Sequence, residues 1–244
     1  MPKVAVIIPA AGAGKRFGGD VKKPFAQIDN RPVFIRSVEL FLNREDVCQV
    51  ILAVSPDDYD VVKEKYAANI MFMGIHLVRG GKERFESVRL ALDAVAPEAD
   101  LVCIHDAVRP CVLESWINLV FEKAAAMGAA ILAAPIPGTI KRVEKDTIRE
   151  TVSRAGLWEA QTPQVFKKEV IVAAYAKLPP DANPTDDAQV VELSGQKVGI
   201  IESDRRNLKI TAPGDLNLAA ATLKDISRGA KKGGPLGAFG EAQW

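Results

Sequence analysis

The sequence predicts an α/β protein with a mostly parallel sheet, because strand-like and helix-like segments alternate along the chain. Short apolar runs of strand length are separated by stretches in which apolar residues recur every three or four positions. Parallel strands need crossover connections, which helices supply. The chain has 244 residues, of which 48% are hydrophobic, so it can bury a substantial core. Buried strands are predicted at residues 4–8, 49–55, 75–78, 101–105 and 129–134.

The helices are predicted from the spacing of apolar residues between these strands. Pro32 suits the first turn of a helix, and Phe34, Val38 and Phe41 then mark one face of it. The remaining elements are helices at 85–95, 113–127, 168–177, 186–193 and after Pro213, and strands near 198–202 and 207–211. We predict one domain over residues 1–228. The tail at 229–244 is rich in Gly and Ala and has no periodicity, so we predict disorder there.

Residues 138–156 interrupt this alternation and predict a β-hairpin arm. Two strand-like stretches, 139–143 and 147–152, are joined by a short polar turn. A ribbon of two short strands is not stable alone in water. It must therefore pack either on its own domain as an edge hairpin or on a second subunit as an arm, and the residues alone leave both open.

Charge and cysteine content exclude several classes of protein. The net charge is +1, so no global field attracts nucleic acid or an acidic membrane. We find neither an apolar run of membrane-spanning length nor an amino-terminal signal segment. Three cysteines in apolar or strand-like contexts (Cys48, Cys103 and Cys111) are typical of reduced thiols in a cytoplasmic protein. Two histidines and no paired cysteine motif argue against structural zinc.

The segment 9–19 follows the first strand and predicts a phosphate-binding loop. It is composed mostly of Gly and Ala, so backbone N–H groups can approach an anion, and Lys15, Arg16 and Lys23 bring positive charge. A Walker A loop is excluded because Asp20 follows Gly19. A dinucleotide-binding fingerprint is excluded because Phe17 stands where its third glycine would be. The alternative is an ordinary glycine-rich turn between strand and helix.

A second candidate segment follows the strand at 101–105. In a parallel sheet, ligands bind beyond the carboxyl ends of the strands. His105 and Asp106 should therefore lie at the same edge of the sheet as the glycine-rich loop. Asp106 could help to bind magnesium, or it could cap the following loop. For His105 we predict a structural role.

Seven motifs occur together in an order typical of one enzyme family. They are Pro9-Ala10-Ala11-Gly12-x-Gly14-x-Arg16, Lys23 before Phe25, Gly80-Gly81-x-Glu83-Arg84-x-x-Ser87-Val88, His105-Asp106-Ala107-x-Arg109-Pro110, Arg154-x-x-Leu157-Trp158-x-x-Gln161-Thr162-Pro163-Gln164, Thr185-Asp186-Asp187 and Asn207-Leu208-Lys209-Ile210-Thr211. With them the chain resembles 2-C-methyl-D-erythritol 4-phosphate cytidylyltransferases of the non-mevalonate isoprenoid pathway, over roughly residues 3–226.

This resemblance implies a Rossmann-like mixed, mostly parallel sheet flanked by helices, with a protruding hairpin arm that forms a homodimer. It implies transfer of a cytidylyl group from CTP to 2-C-methyl-D-erythritol 4-phosphate, with release of pyrophosphate and with Mg²⁺ as cofactor. The attacking phosphate oxygen is already anionic at neutral pH, so the reaction needs positioning and charge stabilisation rather than a general base.

The resemblance also implies roles for individual residues. The catalytic residues would be Arg16, Lys23, Arg154 and Lys209. CTP would be bound by Ala10, Ala11, Gly12, Gly14, Gly81, Lys82, Ser87, Asp106 and Ala107, with Asp106 also near the metal. The second substrate would be bound by Arg109, Thr139, Arg154, Thr162 and Lys209, of which Thr139 and Arg154 would come from the arm of the neighbouring subunit.

Three departures from the family pattern qualify these roles. Pro24 follows Lys23 where Gln is expected, and Lys82 stands where Asp is familiar. Arg206 stands before Asn207 where an acidic residue sometimes lies near the metal, which leaves Asp204 as a weak candidate. The alternatives are a cytidylyltransferase for another polyol phosphate such as ribitol 5-phosphate, a sugar-1-phosphate or molybdopterin nucleotidyltransferase, and a non-catalytic nucleotide-binding module.

Overall fold

A seven-stranded sheet forms the centre of the protein. The structure is a computed structural model and describes residues 1–11, 22–179 and 181–231. The strands of this sheet lie in the order β11-β7-β10-β6-β1-β4-β5. Their bounds are β1 Val4–Pro9, β4 Val47–Val54, β5 Ile75–Arg79, β6 Leu101–Ile104, β7 Ala129–Pro135, β10 Trp158–Lys167 and β11 Gly199–Glu202. Two small ribbons complete the β structure, namely β2 Gln27–Ile28 with β3 Arg31–Pro32, and β8 Ile140–Glu144 with β9 Thr147–Val152.

The sheet is mixed but mostly parallel, as predicted. β1 pairs in parallel with β4 and β6, β4 with β5, and β11 with β7. Within this sheet, as far as the structure describes it, only β10 runs antiparallel to its neighbours, β6 and β7. The sequence analysis did not predict this ten-residue strand. Its middle carries the buried polar residues Gln161, Thr162 and Gln164, so it lacks the apolar run that identified the other central strands.

Eight α-helices flank the sheet in the described part of the chain. They are α1 Val33–Leu42, α2 Pro56–Lys65, α3 Ala67–Phe72, α4 Arg84–Leu92, α5 Glu114–Met127, α6 Lys168–Ala176, α7 Asp187–Leu193 and α8 Gly214–Lys231. The sequence analysis predicted all but α2 and α3. α2 buries only Val62 and α3 buries no residue, so neither shows an apolar face in the sequence. None of the described helices is both long and apolar enough to cross a lipid bilayer.

The core fills both faces of the sheet, which is what a buried parallel sheet requires. Residues of β1 alternate between the two sides: Val6 and Ile8 pack with Phe34 of α1 on one face, whereas Ile7 packs with Phe166 of β10 on the other. Side chains on both faces of the sheet thus pack against its central strands. The rigid carboxyl ends of β1 and β6 can then present loops at fixed positions.

Three segments differ from the prediction. The helix predicted at 85–95 ends at Leu92, three residues early. Residues 207–211 do not form a strand. Among the described residues, the Ile210 N–H makes the one backbone–backbone hydrogen bond from this segment to the loop after β6, at 2.9 Å to the carbonyl of Val108. The last helix, α8, continues to Lys231, three residues past the predicted domain end at 228. Each further residue extends an existing hydrogen-bonded ladder, so a helix already formed continues at little cost. The rest of the predicted tail lies outside the described residues.

The predicted hairpin is confirmed as β8 and β9. Its turn residues Lys145 and Asp146 have φ of 45° and 66°, the left-handed conformation typical of tight two-residue hairpins. Every residue from 141 to 151 is exposed. Val143 and Ile148 leave 56% and 59% of their surface in solvent, so the ribbon has apolar side chains that the described part of its own chain does not cover.

Candidate functional site

The carboxyl ends of β1 and β6 meet at one edge of the sheet, as the sequence predicted. Ile7 is in register with Ile104, and the N–H of His105 donates to the carbonyl of Ile7 at 2.9 Å. Ala10 and Ala11 are buried where β1 ends, next to the segment 105–109. The predicted loop residues Gly12, Gly14, Lys15 and Arg16 lie outside the described residues.

Asp106 lies at the centre of a cluster of cations at this edge. Arg84 Nε lies 2.9 Å from its Oδ1, and Lys209 Nζ lies 2.8 Å from its Oδ2. Arg109 Nε lies 3.7 Å from the same Oδ2. The carboxylate is nearly buried, whereas the Lys209 side chain is 43% exposed. One buried negative charge thus holds three positive side chains from three parts of the chain.

The charges of this cluster fix the ionisation of Asp106. Burial alone would raise the pKa of the carboxyl, but the nearby charges of Arg84, Lys209 and Arg109 outweigh burial and lower that pKa far below its usual range. Asp106 therefore stays ionised at any physiological pH. The cluster as a whole keeps an excess of positive charge, which suits a site for phosphates.

A buried polar framework holds Asp106 from behind. The N–H of Asp106 donates to Thr162 Oγ1 at 3.0 Å, and Asn207 Nδ2 donates to the carbonyl of Thr162 at 2.9 Å. Arg109 Nη1 donates to the carbonyl of Asn207 at 2.6 Å. Thr162 is only 4% exposed, and its hydroxyl positions Asp106 in this structure by accepting from the backbone N–H of that residue. Its predicted contact with substrate stays a prediction.

His105 is part of the same framework, as the predicted structural role requires. Its ring is fully buried against Phe41, with Nε2 2.9 Å from the carbonyl of Arg109 and Nδ1 3.1 Å from Thr162 Oγ1. Since a carbonyl only accepts, Nε2 carries the proton and the threonine hydroxyl donates to Nδ1. Burial lowers the pKa of His105 to about 4, although the charge of Asp106 opposes this shift. The imidazole is therefore neutral at neutral pH.

The predicted cytosine-reading segment forms a tight loop before α4. Ser87 is completely buried: its Oγ accepts from the N–H of Gly81 at 3.0 Å and donates to the carbonyl of Glu83 at 3.0 Å. Glu86 Oε2 accepts from the N–H groups of Lys82 and Glu83 at 2.8 and 3.0 Å. These contacts fix the loop backbone. The N–H groups of residues 80–83 all donate within the protein, so backbone carbonyls of this loop are its candidate ligand-binding atoms.

The remaining predicted residues are placed as follows. Ala107 is buried and its carbonyl accepts from Ser37 Oγ at 3.0 Å. Lys23 is half-buried in a short 3₁₀ helix, Lys23–Phe25. Thr139 and Arg154 are exposed at the base of the arm, where Arg154 donates to the carbonyl of Pro137. Among the described residues, no hydrogen bond or ion pair joins these two to the cluster in the same chain.

Asp106 does not fit as a metal ligand in this arrangement. Both carboxylate oxygens already face cations, and a divalent cation placed there would be repelled at close range by three positive groups. Within the parts of the chain that the structure describes, no three His, Cys, Asp or Glu side chains come together as a metal site. Asp204, the weak second candidate, is instead paired with Arg206 at 2.6 Å.

Sequence reasoning assigned no role to Arg84, Asp187 and Asn207, although all three occur in the quoted motifs. Arg84 Nη2 lies 2.7 Å from Asp187 Oδ2, which joins Asp106 to a second buried acid. An arginine in the first turn of a helix is usually solvated, and the sequence shows no sign of its two buried partners. The one available signal was the position of these residues inside motifs that also contain predicted site residues.

Comparison with known proteins shows which family this chain resembles. A family model described as 2-C-methyl-D-erythritol 4-phosphate cytidylyltransferase matches residues 4–225. A protein of that name from Rhodopirellula baltica is 45% identical over 233 residues, covering 91% of this chain and 95% of the relative. The crystal structure of the Thermus thermophilus enzyme of the same name is 30% identical with a TM-score of 0.77, and covers 91% of this chain and 99% of that chain. The chain belongs to this family.

Membership of the cytidylyltransferase family confirms the resemblance drawn from the seven motifs. The protein is thus an enzyme of the nucleotidyltransferase class, and its Rossmann-like α/β fold is confirmed by the matching structures. A second relative, from Bacillus licheniformis, is 37% identical over 226 residues, which cover 91% of this chain and 96% of the relative. The roles predicted for single residues stay predictions.

Proposed function

We propose that this protein transfers the cytidylyl group of CTP to 2-C-methyl-D-erythritol 4-phosphate in isoprenoid biosynthesis. A phosphate oxygen of the second substrate attacks the α-phosphorus of CTP, the new P–O bond forms, and the bond to the β-phosphate breaks. Pyrophosphate leaves. The acceptor oxygen is already ionised at neutral pH, so no side chain has to remove a proton from it.

The observation that carries this proposal is the cation cluster around Asp106. The reaction brings two polyanions together, and the main barrier that the protein can lower is their mutual repulsion. Lys209 and Arg109 are held at the carboxyl edge of the sheet, and Lys209 is exposed enough to meet a phosphate. We assign these two to the phosphate of the acceptor, and Arg16 and Lys23 to the α-phosphate.

We further propose that CTP enters as its magnesium complex. Phosphate oxygens are ligands that Mg²⁺ prefers, whereas Asp106 is already surrounded by cations. In this proposal the metal is part of the substrate, and the protein contributes the positive side chains around it.

We also propose a homodimer through the arm. The hairpin β8–β9 is exposed along its length and carries the uncovered apolar side chains Val143 and Ile148. A partner that covers these side chains would gain the usual free energy of apolar burial. Arg154 and Thr139 at the base of the arm would then reach the active site of the partner subunit.

We propose that the enzyme works in the cytoplasm. Its three cysteines are free thiols in the described structure, and Cys103 and Cys111 are buried. Burial raises the pKa of Cys111 to about 12, so this thiol is not reactive at neutral pH. Unpaired cysteines are typical of a reducing compartment.

The experiment that tests the proposed function is pyrophosphate release from each of the four nucleoside triphosphates. The enzyme would be assayed with 2-C-methyl-D-erythritol 4-phosphate and ribitol 5-phosphate as competing acceptors. We expect release from CTP with the methylerythritol phosphate to be far faster than any other combination. Equal or faster turnover with ribitol 5-phosphate would contradict the acceptor, and no turnover with CTP would contradict the nucleotide.

A further inference from the structure

We propose that Asp187 is a positioning residue for nucleotidyl transfer, acting through Arg84 on both the cation cluster and the loop at residues 80–83. The inference rests on the proposed function, because that function gives the cluster its reaction. Asp187 is fully buried and pairs with Arg84, so it has no exposed surface for a substrate. Its most direct connection to the cluster is the ion pair with Arg84.

Arg84 is shared between two acids that come from distant parts of the chain. Its Nε lies 2.9 Å from Asp106 Oδ1, and its Nη2 lies 2.7 Å from Asp187 Oδ2. The Nη2 and Oδ2 atoms are close but not aligned as a hydrogen bond, so this contact is mainly ionic. The charges of Asp187 and Asp106 outweigh burial and raise the pKa of Arg84. The guanidinium is thus permanently charged and held at two points.

The position of Arg84 in the chain explains why this matters for nucleotide binding. It is the first residue of α4, directly after the loop at residues 80–83. The start of that loop is tied to the end of β4, since the N–H of Gly80 donates to the carbonyl of Val54 at 2.6 Å. The two ion pairs of Arg84 anchor the other end. One side chain therefore sets the distance between the predicted base-reading loop and the cations around Asp106.

Asp187 is itself held rigidly, as a positioning residue has to be. Tyr175 OH donates to its Oδ1 at 2.7 Å. Its backbone N–H donates to Gln164 Oε1 at 3.0 Å, which ties the first turn of α7 to β10. β10 also supplies Thr162, which accepts from the N–H of Asp106. Hydrogen bonds thus connect both acids that bind Arg84 to the same strand, β10.

The charge balance predicts what happens when Asp187 is neutralised. Arg84 would then have Asp106 as its one remaining ionic partner, and it would compete with Lys209 for that carboxylate. Lys209 would be less well held, and the N-terminus of α4 would lose an anchor. The change at Lys209 would weaken stabilisation of the transition state, and the change at α4 would weaken CTP binding. If Asp187 served only to stabilise the fold, its neutralisation would change only the free energy of unfolding.

The test compares Asp187→Asn with Asp186→Asn, which makes the same change of charge at the preceding residue. Asp186 caps α7 by accepting from the N–H of Gln189 at 2.9 Å; it also accepts from Gln164 Nε2 at 2.8 Å but forms no ion pair with Arg84. Asparagine is also a good cap, and its side-chain oxygen can still accept a hydrogen bond. For Asp187→Asn we expect kcat/KM for CTP to fall by about tenfold or more, the scale of coupling through a packed network. For Asp186→Asn we expect kcat/KM within about twofold of wild type.

A milder variant keeps the test decisive if Asp187→Asn folds poorly. Tyr175→Phe removes only the hydroxyl that donates to Asp187 and keeps the packing of the ring. We expect a smaller loss of kcat/KM in the same direction, about two- to fivefold, measured on folded enzyme. Lower thermal stability with wild-type kinetics in both Asp187→Asn and Tyr175→Phe would overturn the proposal.

A double-mutant cycle with Arg84→Gln shows whether Asp187 acts through Arg84. If it does, Arg84→Gln/Asp187→Asn loses no more kcat/KM than Arg84→Gln alone. Losses that multiply would mean an independent effect and would overturn the inference. The wild-type enzyme in the same assay tests the proposed function separately, because its failure to turn over CTP would reject that function whatever the variants do.

Discussion

At the scale of single residues, Asp106 distinguishes two ways in which a carboxylate can serve this reaction. As a metal ligand it would bind Mg²⁺ directly, whereas as an organising charge it holds Arg84, Arg109 and Lys209 in place. The structure favours the second. We expect Asp106→Asn to lower kcat by about 100-fold, because the released cations lose their preorganised arrangement.

The dependence on magnesium separates these two roles of Asp106. The measurement is initial velocity of wild type and Asp106→Asn against Mg²⁺ concentration at saturating CTP. We expect the same half-saturating Mg²⁺ concentration in both enzymes, with only the maximum lowered. If the variant needs much more Mg²⁺ and recovers activity when it is supplied, Asp106 is a metal ligand and the proposed role is wrong.

His105 predicts how the free energy of unfolding depends on pH. The folded protein keeps the imidazole neutral down to about pH 4, whereas the unfolded chain takes up a proton below its ordinary pKa of about 6.5. Acid therefore favours the unfolded chain, and stability falls as pH drops from about 6.5 to 4. This one group should account for a loss of about 3 kcal/mol by pH 4.

Urea unfolding at a series of pH values between 7 and 4 measures this loss. The free energy of unfolding of His105→Gln should fall less steeply over this range than that of wild type. His76, the other of the two histidines, is exposed, so His76→Gln serves as the matched control and should keep the wild-type slope. Parallel curves for wild type and His105→Gln would show that His105 takes up its proton over the same pH range in the folded and the unfolded protein.

The sequence identified candidate site residues that the structure brings together, but not the partners that hold them. Asp106, Arg109 and Lys209 were predicted from motifs, and the structure brings them together. Arg84 was not predicted because an ion pair between residues 84 and 187 depends on how α4 and α7 pack, and no local pattern encodes that. Thr162 was predicted as a substrate-binding residue, but its contacts with the Asp106 N–H and with His105 depend in the same way on how β10 and β6 pack.

At the scale of elements, the loop before α4 shows why its glycines are required. A Cβ on Gly81 would overlap the Cβ of Glu86, which belongs to the helix and cannot simply rotate away. We expect Gly81→Ala to displace the loop, to raise KM for CTP by about tenfold, and to lower stability by about 1–3 kcal/mol. Steady-state kinetics with CTP and thermal unfolding measure the two effects.

Gly214 at the start of α8 provides the control for this substitution. A Cβ there would meet no atom within 4 Å, so Gly214→Ala should keep both kinetics and stability close to wild type. An unchanged KM for CTP in Gly81→Ala would mean that the conformation of this loop does not matter for nucleotide binding.

The elements that the sequence failed to predict share a physical cause. Strands with continuous apolar runs and helices with one apolar face were found, because burial leaves a periodic pattern. β10 was missed because its central residues Gln161, Thr162 and Gln164 are polar and buried, with hydrogen bonds formed only in the folded protein. The opposite error occurred at 207–211, where a strand-like pattern is present but no strand forms. There apolar and polar residues alternate without a partner strand, although the alternation still places Ile210 inside and Lys209 outside.

At the scale of the whole molecule, the apolar residues that stabilise the fold lie apart from the charged residues of the candidate site. Both faces of the sheet are filled by the core, and the cluster of cations around Asp106 lies at the edge where β1 and β6 end. The arm projects from this body with all residues from 141 to 151 exposed. In the described part of the chain, Arg154 does not contact the cluster around Asp106, and no surface covers the apolar side chains of the arm. An exchange of arms between two subunits would explain both observations.

Shared sites predict that two inactive variants can complement each other. In this proposal Arg154 acts in the site of the partner subunit, whereas Lys209 acts in the site of its own chain. When Arg154→Ala and Lys209→Ala subunits exchange at random, half of the dimers are mixed, and each mixed dimer has one intact site. We therefore expect recovery of about a quarter of the wild-type activity, measured as pyrophosphate release after subunit exchange.

The matched control for this complementation mixes Lys209→Ala with Arg109→Gln. Both residues belong to the cluster of one chain, so every site of a mixed dimer still carries one defect and no activity should return. Native mass spectrometry of an isotope-labelled variant verifies that subunits have exchanged. Recovery in the first mixture and none in the second requires an arm that crosses between subunits, because no arrangement within one chain predicts that difference. Verified exchange without recovery in the first mixture would mean that Arg154 serves its own chain, and the arm would then be an edge hairpin.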